Sequence, residues 1–425
     1  MNKILNFIRS LISPRNPLLL LYHSLLAVFS SVCYGIPASG MTVIAVTGTS
    51  GKTTTAVLIA EILKKAGKKT GLLSGSHFLI GDTKIVNETK LTTLSRFMLN
   101  AMLRNMARAG CEYLVIEVTS QALVQSRMWG IPVDVAVFTN LSPEHVEYHG
   151  GIEEYRAAKF LLFKKVRRAV VLNGDDENYD FFNRALAPRK LCFGLKEGNI
   201  HASDVRFFAD KTSCSIILPD GGSIDVNLRL PSESNVYNVL AACAAATALE
   251  IKKEIIKSAL ELVASMPGRY EVVDCDVPFT IVVDYAHHPA SLEKLFDFYR
   301  SVTRGRLIAV GGAPGGGRDR SKRPTMGEIV GRLCHYVIIT DDDPYDEDRF
   351  EIINAVAAGV KNKVEGESFW KIPDRREAIT FALKKLAREG DTVVIFGKGN
   401  EPVQVTSKGK IPWDDREVVR EILEN

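Results

Sequence analysis

The sequence predicts an α/β protein: a P-loop central domain on a mostly parallel sheet, then a C-terminal Rossmann-like domain. Three observations carry this. Residues 42–55 read Thr-Val-Ile-Ala-Val-Thr-Gly-Thr-Ser-Gly-Lys-Thr-Thr-Thr, a β-branched strand entering a glycine loop and then a helix. Apolar runs of strand length then alternate with helical periodicity to about residue 263. A second alternating series follows Pro267-Gly268-Arg269. The expected boundaries are an apolar N-terminal helical segment (1–40), the central domain (41–266) and the C-terminal domain (267–425).

The N-terminal segment comes first. Residues 17–34 are almost wholly apolar, a length borderline for a bilayer span. Lys3, Arg9 and Arg15 precede this run, and no Lys or Arg follows until Lys52. A spanning helix with that charge bias would put the glycine loop outside the cell, away from nucleotide. A cleaved signal peptide fails for the same reason. The expectation is a cytoplasmic protein, its 17–34 helix packed on the body or lying at a membrane face.

The glycine loop is next. Gly48, Thr49, Ser50 and Gly51 lead into Lys52, Thr53 and Thr54 at a helix start. Backbone N–H groups of such a loop face an anion, Lys52 adds a point charge, and Thr53 offers a hydroxyl to Mg²⁺. The spacing is shorter than the usual P-loop, and a plain turn is the competing reading. Strands are expected at 113–118, 135–138 and 169–172, with helices at 97–109 and 153–165 between them. Glu117 ends the first of these strands, where a carboxylate can hold Mg²⁺ or simply meet solvent. His145, in Asn-Leu-Ser-Pro-Glu-His, is either a metal ligand or structural, and His149 reads as structural. Lys159 is, by composition, an ordinary helix lysine. Residues 214–218 and 224–228 flank Asp220-Gly-Gly and read as an antiparallel hairpin insertion. An Ala-rich helix covers 236–249.

In the second domain, strands are expected at 280–283, 306–310, 336–340 and 392–396. Asp284, at a strand end, could bind ribose hydroxyls or cap a helix. Arg318 sits in a basic turn after a glycine cluster, suited to phosphate or carboxylate. Residues 341–348 form an acidic loop at another strand end.

Composition bounds the function. The chain has 425 residues, 46% hydrophobic and 24% charged, so it holds two or three folded domains. A net charge of +4 implies no nucleic-acid partner. Seven cysteines without CxxC spacing read as reduced thiols.

Taken in order, the motifs resemble the Mur ligase family of ATP-dependent amide-bond ligases. They are Gly-Thr-Ser-Gly-Lys-Thr-Thr (48–54), Glu-Val-Thr-Ser-Gln-Ala-Leu-Val-Gln-Ser-Arg (117–127) and Phe-Thr-Asn-Leu-Ser-Pro-Glu-His-Val-Glu-Tyr-His-Gly (138–150). Asn-Val-Tyr-Asn (235–238), Pro-Gly-Arg-Tyr-Glu (267–271) and Asp-Tyr-Ala-His (284–287) follow. Gly-Arg-Asp-Arg-Ser-Lys-Arg (317–323), Asp-Asp-Pro (342–344) and Gly-Lys-Gly-Asn-Glu (397–401) complete the series. The branch resembled adds the third amino acid to UDP-N-acetylmuramoyl-L-alanyl-D-glutamate in peptidoglycan precursor synthesis.

The resemblance implies ATP and Mg²⁺ as cofactors, and a nucleotide-sugar dipeptide and an amino acid as substrates. It implies that Lys52 and the loop grip ATP phosphates. Thr53, Glu117, His145 and a carbamylated Lys159 hold magnesium. Asn235, Asn238, Arg269 and Asp284 surround the nucleotide, while Thr92, Thr93, Ser120, Gln125 and Arg127 contact the acceptor. Arg318, Asp343, Tyr345, Gly397 and Glu401 line the amino-acid pocket. Two departures stand out. The family's Asp-Asn-Pro-Arg is here Asp342-Asp343-Pro344-Tyr345, which removes an Arg clamp for diaminopimelate and adds an acid suited to L-lysine. About 40 residues precede the sheet, too few for the family's UDP-binding domain, so a different acceptor enters the expectations. A folylpolyglutamate synthase-like ligase is the second reading. A nucleotide-binding scaffold without catalysis is the third, disfavoured because Lys52, Glu117, His145 and Lys159 are all present.

Overall fold

The computed structural model describes residues 16–87, 89, 91–142 and 146–424. The chain forms two compact units. The first is Met1–Val205 with Ser213–Asn227 and Glu233–Val263; the second is Arg206–Thr212, Leu228–Ser232 and Ala264–Asn425.

The first unit is organised by a sheet of 11 strands. These are β1 (Thr42–Thr47), β2 (Thr70–Leu73), β3 (His77–Ile80), β4 (Thr83–Val86), β5 (Tyr113–Glu117), β6 (Val133–Phe138), β7 (Val166–Asn173), β8 (Arg189–Gly194), β9 (Ile200–Phe207), β10 (Thr212–Ile217) and β11 (Ser223–Leu228). Their spatial order is β11-β10-β9-β8-β7-β6-β1-β5-β2-β3-β4. β1 lies between β5 and β6, parallel to both, so the glycine loop leaves the carboxyl edge of the sheet beside Glu117 and Phe138. β3 runs antiparallel to both of its neighbours, β2 and β4, while β1, β2 and β5 to β9 pair parallel with one another. Val43 to Val46 are fully buried, as expected of a central strand covered on both faces. The helix Lys52–Lys65 packs against the Ala-rich helix Glu233–Ala248.

The sheet is wider than the sequence reading. The expected hairpin is present as β10 and β11, its turn closed by Leu218 N donating to the Gly222 carbonyl (2.8 Å), and it forms the edge of the main sheet beside β9. β8 and β9 are not evident in the sequence because exposed Arg189 and Lys190 open β8, and exposed Asp204 and Arg206 interrupt β9, diluting the apolar signal. The 153–165 helix breaks into Ile152–Phe160 and a 3₁₀ turn, Leu161–Lys165, before β7.

The second unit holds a six-stranded sheet in the order β12-β13-β17-β14-β15-β16. Here β12 is Glu271–Val272, β13 Thr280–Asp284, β14 Leu307–Gly311, β15 Tyr336–Ile339, β16 Phe369–Lys371 and β17 Thr392–Phe396. Only β12 runs antiparallel; a small hairpin of β18 (Val403–Thr406) and β19 (Gly409–Pro412) follows. Apolar clusters cover both faces, one around Phe296, Met326 and Ile339, the other around Ile281, Ile379 and Ile395.

Candidate active site

β1 ends at Thr47, and the next four residues turn into the helix Lys52–Lys65. Gly51 makes the turn at φ +80°, a left-handed conformation natural to glycine, and a Cβ there would strike the Asn238 side chain. Asn238 thereby seats the loop. It also meets Thr55 Oγ1 at 3.4 Å and Asn235 Oδ1 at 3.3 Å. The far side is held by the end of β6. Thr139 Oγ1 donates to the Ser50 carbonyl (2.7 Å), and Ser50 N donates to Asn140 Oδ1 (2.9 Å). Thr49 Oγ1 accepts from Ser142 N at 3.0 Å and meets Tyr155 Oη at 3.3 Å. The loop is therefore clamped from several elements, which fixes its N–H groups in advance of any anion.

Two lysines converge on this loop. Lys52 Nζ donates to the carbonyls of Gly48 (3.0 Å) and Thr49 (2.8 Å). Lys159, buried, donates to the same Gly48 carbonyl (2.7 Å) and lies over the Tyr155 ring. Thr53 and Glu117 meet at a second glycine, Gly75. A Cβ built on Gly75 would sit 3.4 Å from Thr53 Oγ1 and 3.8 Å from both Glu117 oxygens. Glu117 is wholly buried and accepts from Gly75 N (2.8 Å).

The residues expected at the acceptor form a connected group. Thr93 Oγ1 donates to the Glu117 carbonyl (3.0 Å), and Arg127 Nη1 donates to the Thr93 carbonyl (2.8 Å). Arg127 also grips Gln125 Oε1 through Nε (3.0 Å) and Nη2 (2.8 Å). Burial and the Arg96 charge lower the Arg127 pKa from its usual value. Ser120 Oγ is 2.8 Å from Nε2 of His149, which is buried beside Tyr155. Thr92 lies next to this group in the chain, half-buried. His145 lies outside the described residues.

The second unit carries the remaining residues. Asp284 accepts from Tyr270 N (2.6 Å) and Ala286 N (2.7 Å), and burial pushes its pKa up to about 6 against those bonds and the Arg269 charge. Both oxygens thus brace the chain around β13. Lys398 is fully buried and centres an acidic group: Asp343 at 2.7 Å, Glu401 at 3.2 Å and Asp342 at 3.9 Å. Burial raises the Asp342 pKa to about 6, and the same acids keep the Lys398 pKa raised despite its burial. Asp343 Oδ1 also accepts from Val405 N (2.9 Å). Its charge is therefore paired internally, which corrects the expectation of an open acid selecting a cationic side chain. Glu401, 25% exposed, is the most accessible carboxylate of the three and accepts from Tyr285 Oη (3.4 Å). Arg318 is exposed; burial is the largest single influence and lowers its pKa, but the hydrogen bond and charge of Tyr345 together with the Tyr285 and Asp342 charges outweigh it, so the pKa is raised. Gly397 adopts φ +109°, where a Cβ would press on Asp342 Oδ2.

Residues 46–246 match the Mur ligase middle domain, and residues 268–399 match the Mur ligase, glutamate ligase domain. The UDP-N-acetylmuramyl-tripeptide synthetase of Roseiflexus sp. (strain RS-1) is 40% identical over 417 residues, covering 94% of this chain and 81% of that protein. The chain belongs to the Mur ligase family. A Geobacillus kaustophilus (strain HTA426) relative, called UDP-N-acetylmuramoyl-L-alanyl-D-glutamate--2,6-diaminopimelate ligase, is also 40% identical, with 93% and 81% covered. A solved structure bearing that same enzyme name superposes with a TM-score of 0.72 at 30% identity, covering 95% of this chain and 82% of the other. A folylpolyglutamate synthase from Mycobacterium tuberculosis has a TM-score of 0.67 at 18% identity, with 87% and 91% covered, which shows a shared fold.

The donor set of this Mur ligase fits a hard divalent cation. Thr53 and Glu117 supply a hydroxyl and a carboxylate around a cradle that a Gly75 side chain would fill. The sequence reading had missed the supporting shell. His149 was read as structural, and nothing in the chain pointed to Ser120 as its partner. Lys398 belongs to the Gly-Lys-Gly-Asn-Glu motif, but a Gly-Lys-Gly loop reads as exposed until the fold buries it.

Proposed function

We propose that this Mur ligase adds an amino acid, L-lysine or meso-diaminopimelate, to UDP-N-acetylmuramoyl-L-alanyl-D-glutamate with ATP cleavage to ADP and phosphate. The observation that carries the reading is the meeting of Lys52 and Lys159 on one clamped glycine loop, with Thr53, at the start of the helix that follows it, facing Glu117 across Gly75. The names and identities of the relatives support it.

In the first step a carboxylate oxygen of the acceptor attacks the γ-phosphorus; an O–P bond forms, the bond to the β-phosphate oxygen breaks, and ADP leaves. In the second, the amine attacks the acyl carbon, the C–N bond forms, and phosphate departs with the former carboxylate oxygen as the nitrogen loses a proton. There is little covalent work for the protein, so its part is positioning and charge stabilisation. The loop N–H groups and Lys52 hold the phosphates, and Lys52 follows the charge that builds on the transferred group. Thr53 and Glu117 would hold Mg²⁺, which neutralises phosphate charge when bound. Lys159, if carbamylated, becomes an anionic ligand beside the same loop. Arg127, Ser120 and Thr93 orient the acceptor, and Arg318 is suited to the carboxylate of the incoming amino acid.

The test is phosphate release from ATP with each amine. The reading requires release that depends on both acceptor and amine. Release with a pteroylglutamate acceptor alone would favour the folylpolyglutamate synthase reading, and no release with any acceptor would favour the scaffold.

A further inference from the structure

The helix Pro17–Cys33 is built inside out. Its protein-facing side carries small and hydroxyl residues: Ala27, Ser30 and Ser31 are buried. Ser30 Oγ accepts from Asn100 Nδ2 (3.1 Å), Ser24 Oγ meets Ser126 Oγ (2.9 Å), and Arg96 Nε donates to the His23 carbonyl (3.1 Å). The outward side carries the large apolar residues. Leu18, Leu21, Tyr22, Leu25, Phe29 and Val32 are each 55% to 77% exposed. Their spacing of i, i+3, i+4, i+7, i+11 and i+14 draws one continuous stripe along a helix. Isolated exposed leucines are ordinary, but a six-residue stripe on one face is not.

The stripe continues onto the neighbouring helix, Arg96–Arg108. Phe97 is 44% exposed and meets the Phe29 ring edge-on at 6.4 Å. Seven and eleven residues further on, Arg104 and Arg108 lie exposed on that same helix face. Neither helix contains an Asp or Glu, and the first acidic residue of the chain is Glu61. Lys3, Arg9 and Arg15 add cations just before the stripe.

We propose that this face docks onto a bilayer surface carrying anionic lipid headgroups, with the helix lying in the interface. Charge decides the occupant. A two-fold pairing of this face with a second copy would bring the unopposed arginines of both chains into one interface, whereas anionic headgroups complement them. No described helix is long and apolar enough to cross a membrane, and 17 residues reach about 25 Å, short of a hydrocarbon core. An in-plane helix needs an apolar face and a basic flank, and both are present.

The test is flotation of the full chain with phosphatidylcholine vesicles, with and without phosphatidylglycerol. The wild type should float with anionic vesicles, much less with neutral ones, and less at high salt. The double variant Leu21→Glu/Leu25→Glu should bind at least about tenfold more weakly, and Arg104→Glu/Arg108→Glu should lose the anionic preference. All four positions are outside the candidate active site, so ATP turnover in solution should be unchanged and reports that the variants fold. Absence of wild-type flotation would overturn the proposal. So would undiminished binding by the leucine variant, which would place the affinity in residues 1–15. A wild-type dimer that the leucine variant dissolves, with no vesicle binding, would make the face a self-interface and overturn it equally.

Discussion

Lys159 shows what single residues do in this site. Its ammonium sits buried against the Gly48 carbonyl, so its replacement acts on the glycine loop itself. Lys159→Ala should lower kcat by about 100-fold or more in steady-state assays, on the scale of losing a preorganised charge-stabilising group. His149→Ala should act differently: freeing Ser120 should raise KM for the acceptor and leave ATP binding intact, as titration of ATP analogues would show. His77 gives the pH prediction. Burial, then the Lys84 and Lys64 charges, lower its pKa to about 4, so the unfolded chain takes up a proton that the fold refuses. Its share of stability is complete above pH 6.5 and is lost as the pH falls toward 4. His77→Gln should therefore flatten that part of the decline in acid urea melts. Lys52 and Glu117 were legible in the sequence because their chemistry depends on local order: strand, glycines, lysine. Lys159 was not, because a helix lysine looks like any other until the fold carries it to Gly48, and the resemblance alone singled it out. Lys398 and His149 were illegible for the same reason, since burial and partners come from distant segments.

At the scale of elements, the central strands and their loops were legible, and the sheet edges were not. β1, β5 and β6 carry the apolar runs 43–46, 114–116 and 135–138, whose residues are buried as in strands covered on both faces. β10 and β11 alternate buried and less buried positions, which reads as a hairpin, and only pairing with β9 makes that hairpin the edge of the main sheet. The loop between β1 and its helix rests on Gly51 and Asn238. Gly51→Ala combines a positive φ with a clash against Asn238, and should cost about 1–3 kcal/mol in denaturant melts and weaken ATP binding. In the second unit, Arg375 and Asp415 form a fully buried pair. Arg375 also donates to the Asp341 (3.0 Å) and Phe396 (3.1 Å) carbonyls, tying the ends of β15 and β17 to the last helix. Arg375→Met would strand Asp415 and should cost about 3–5 kcal/mol of stability, since breaking one side of a buried pair leaves a charge unpaired.

At the scale of the whole molecule, the proposed reaction divides between the two units: the residues proposed for phosphate and acceptor lie in the first, and Arg318 and Glu401, proposed for the amino acid, in the second. The proposed bilayer face lies on the first unit, on the outward side of a helix whose inner side meets Ser126, between Gln125 and Arg127. The central claim is that the acceptor carboxylate is activated by direct phosphorylation. The measurement that tests it most directly uses acceptor labelled with oxygen-18 in the reacting carboxylate, with mass analysis of the released phosphate and of the product. The account predicts one labelled oxygen in each phosphate, matched by one new amide bond. Amide formation with unlabelled phosphate would contradict it.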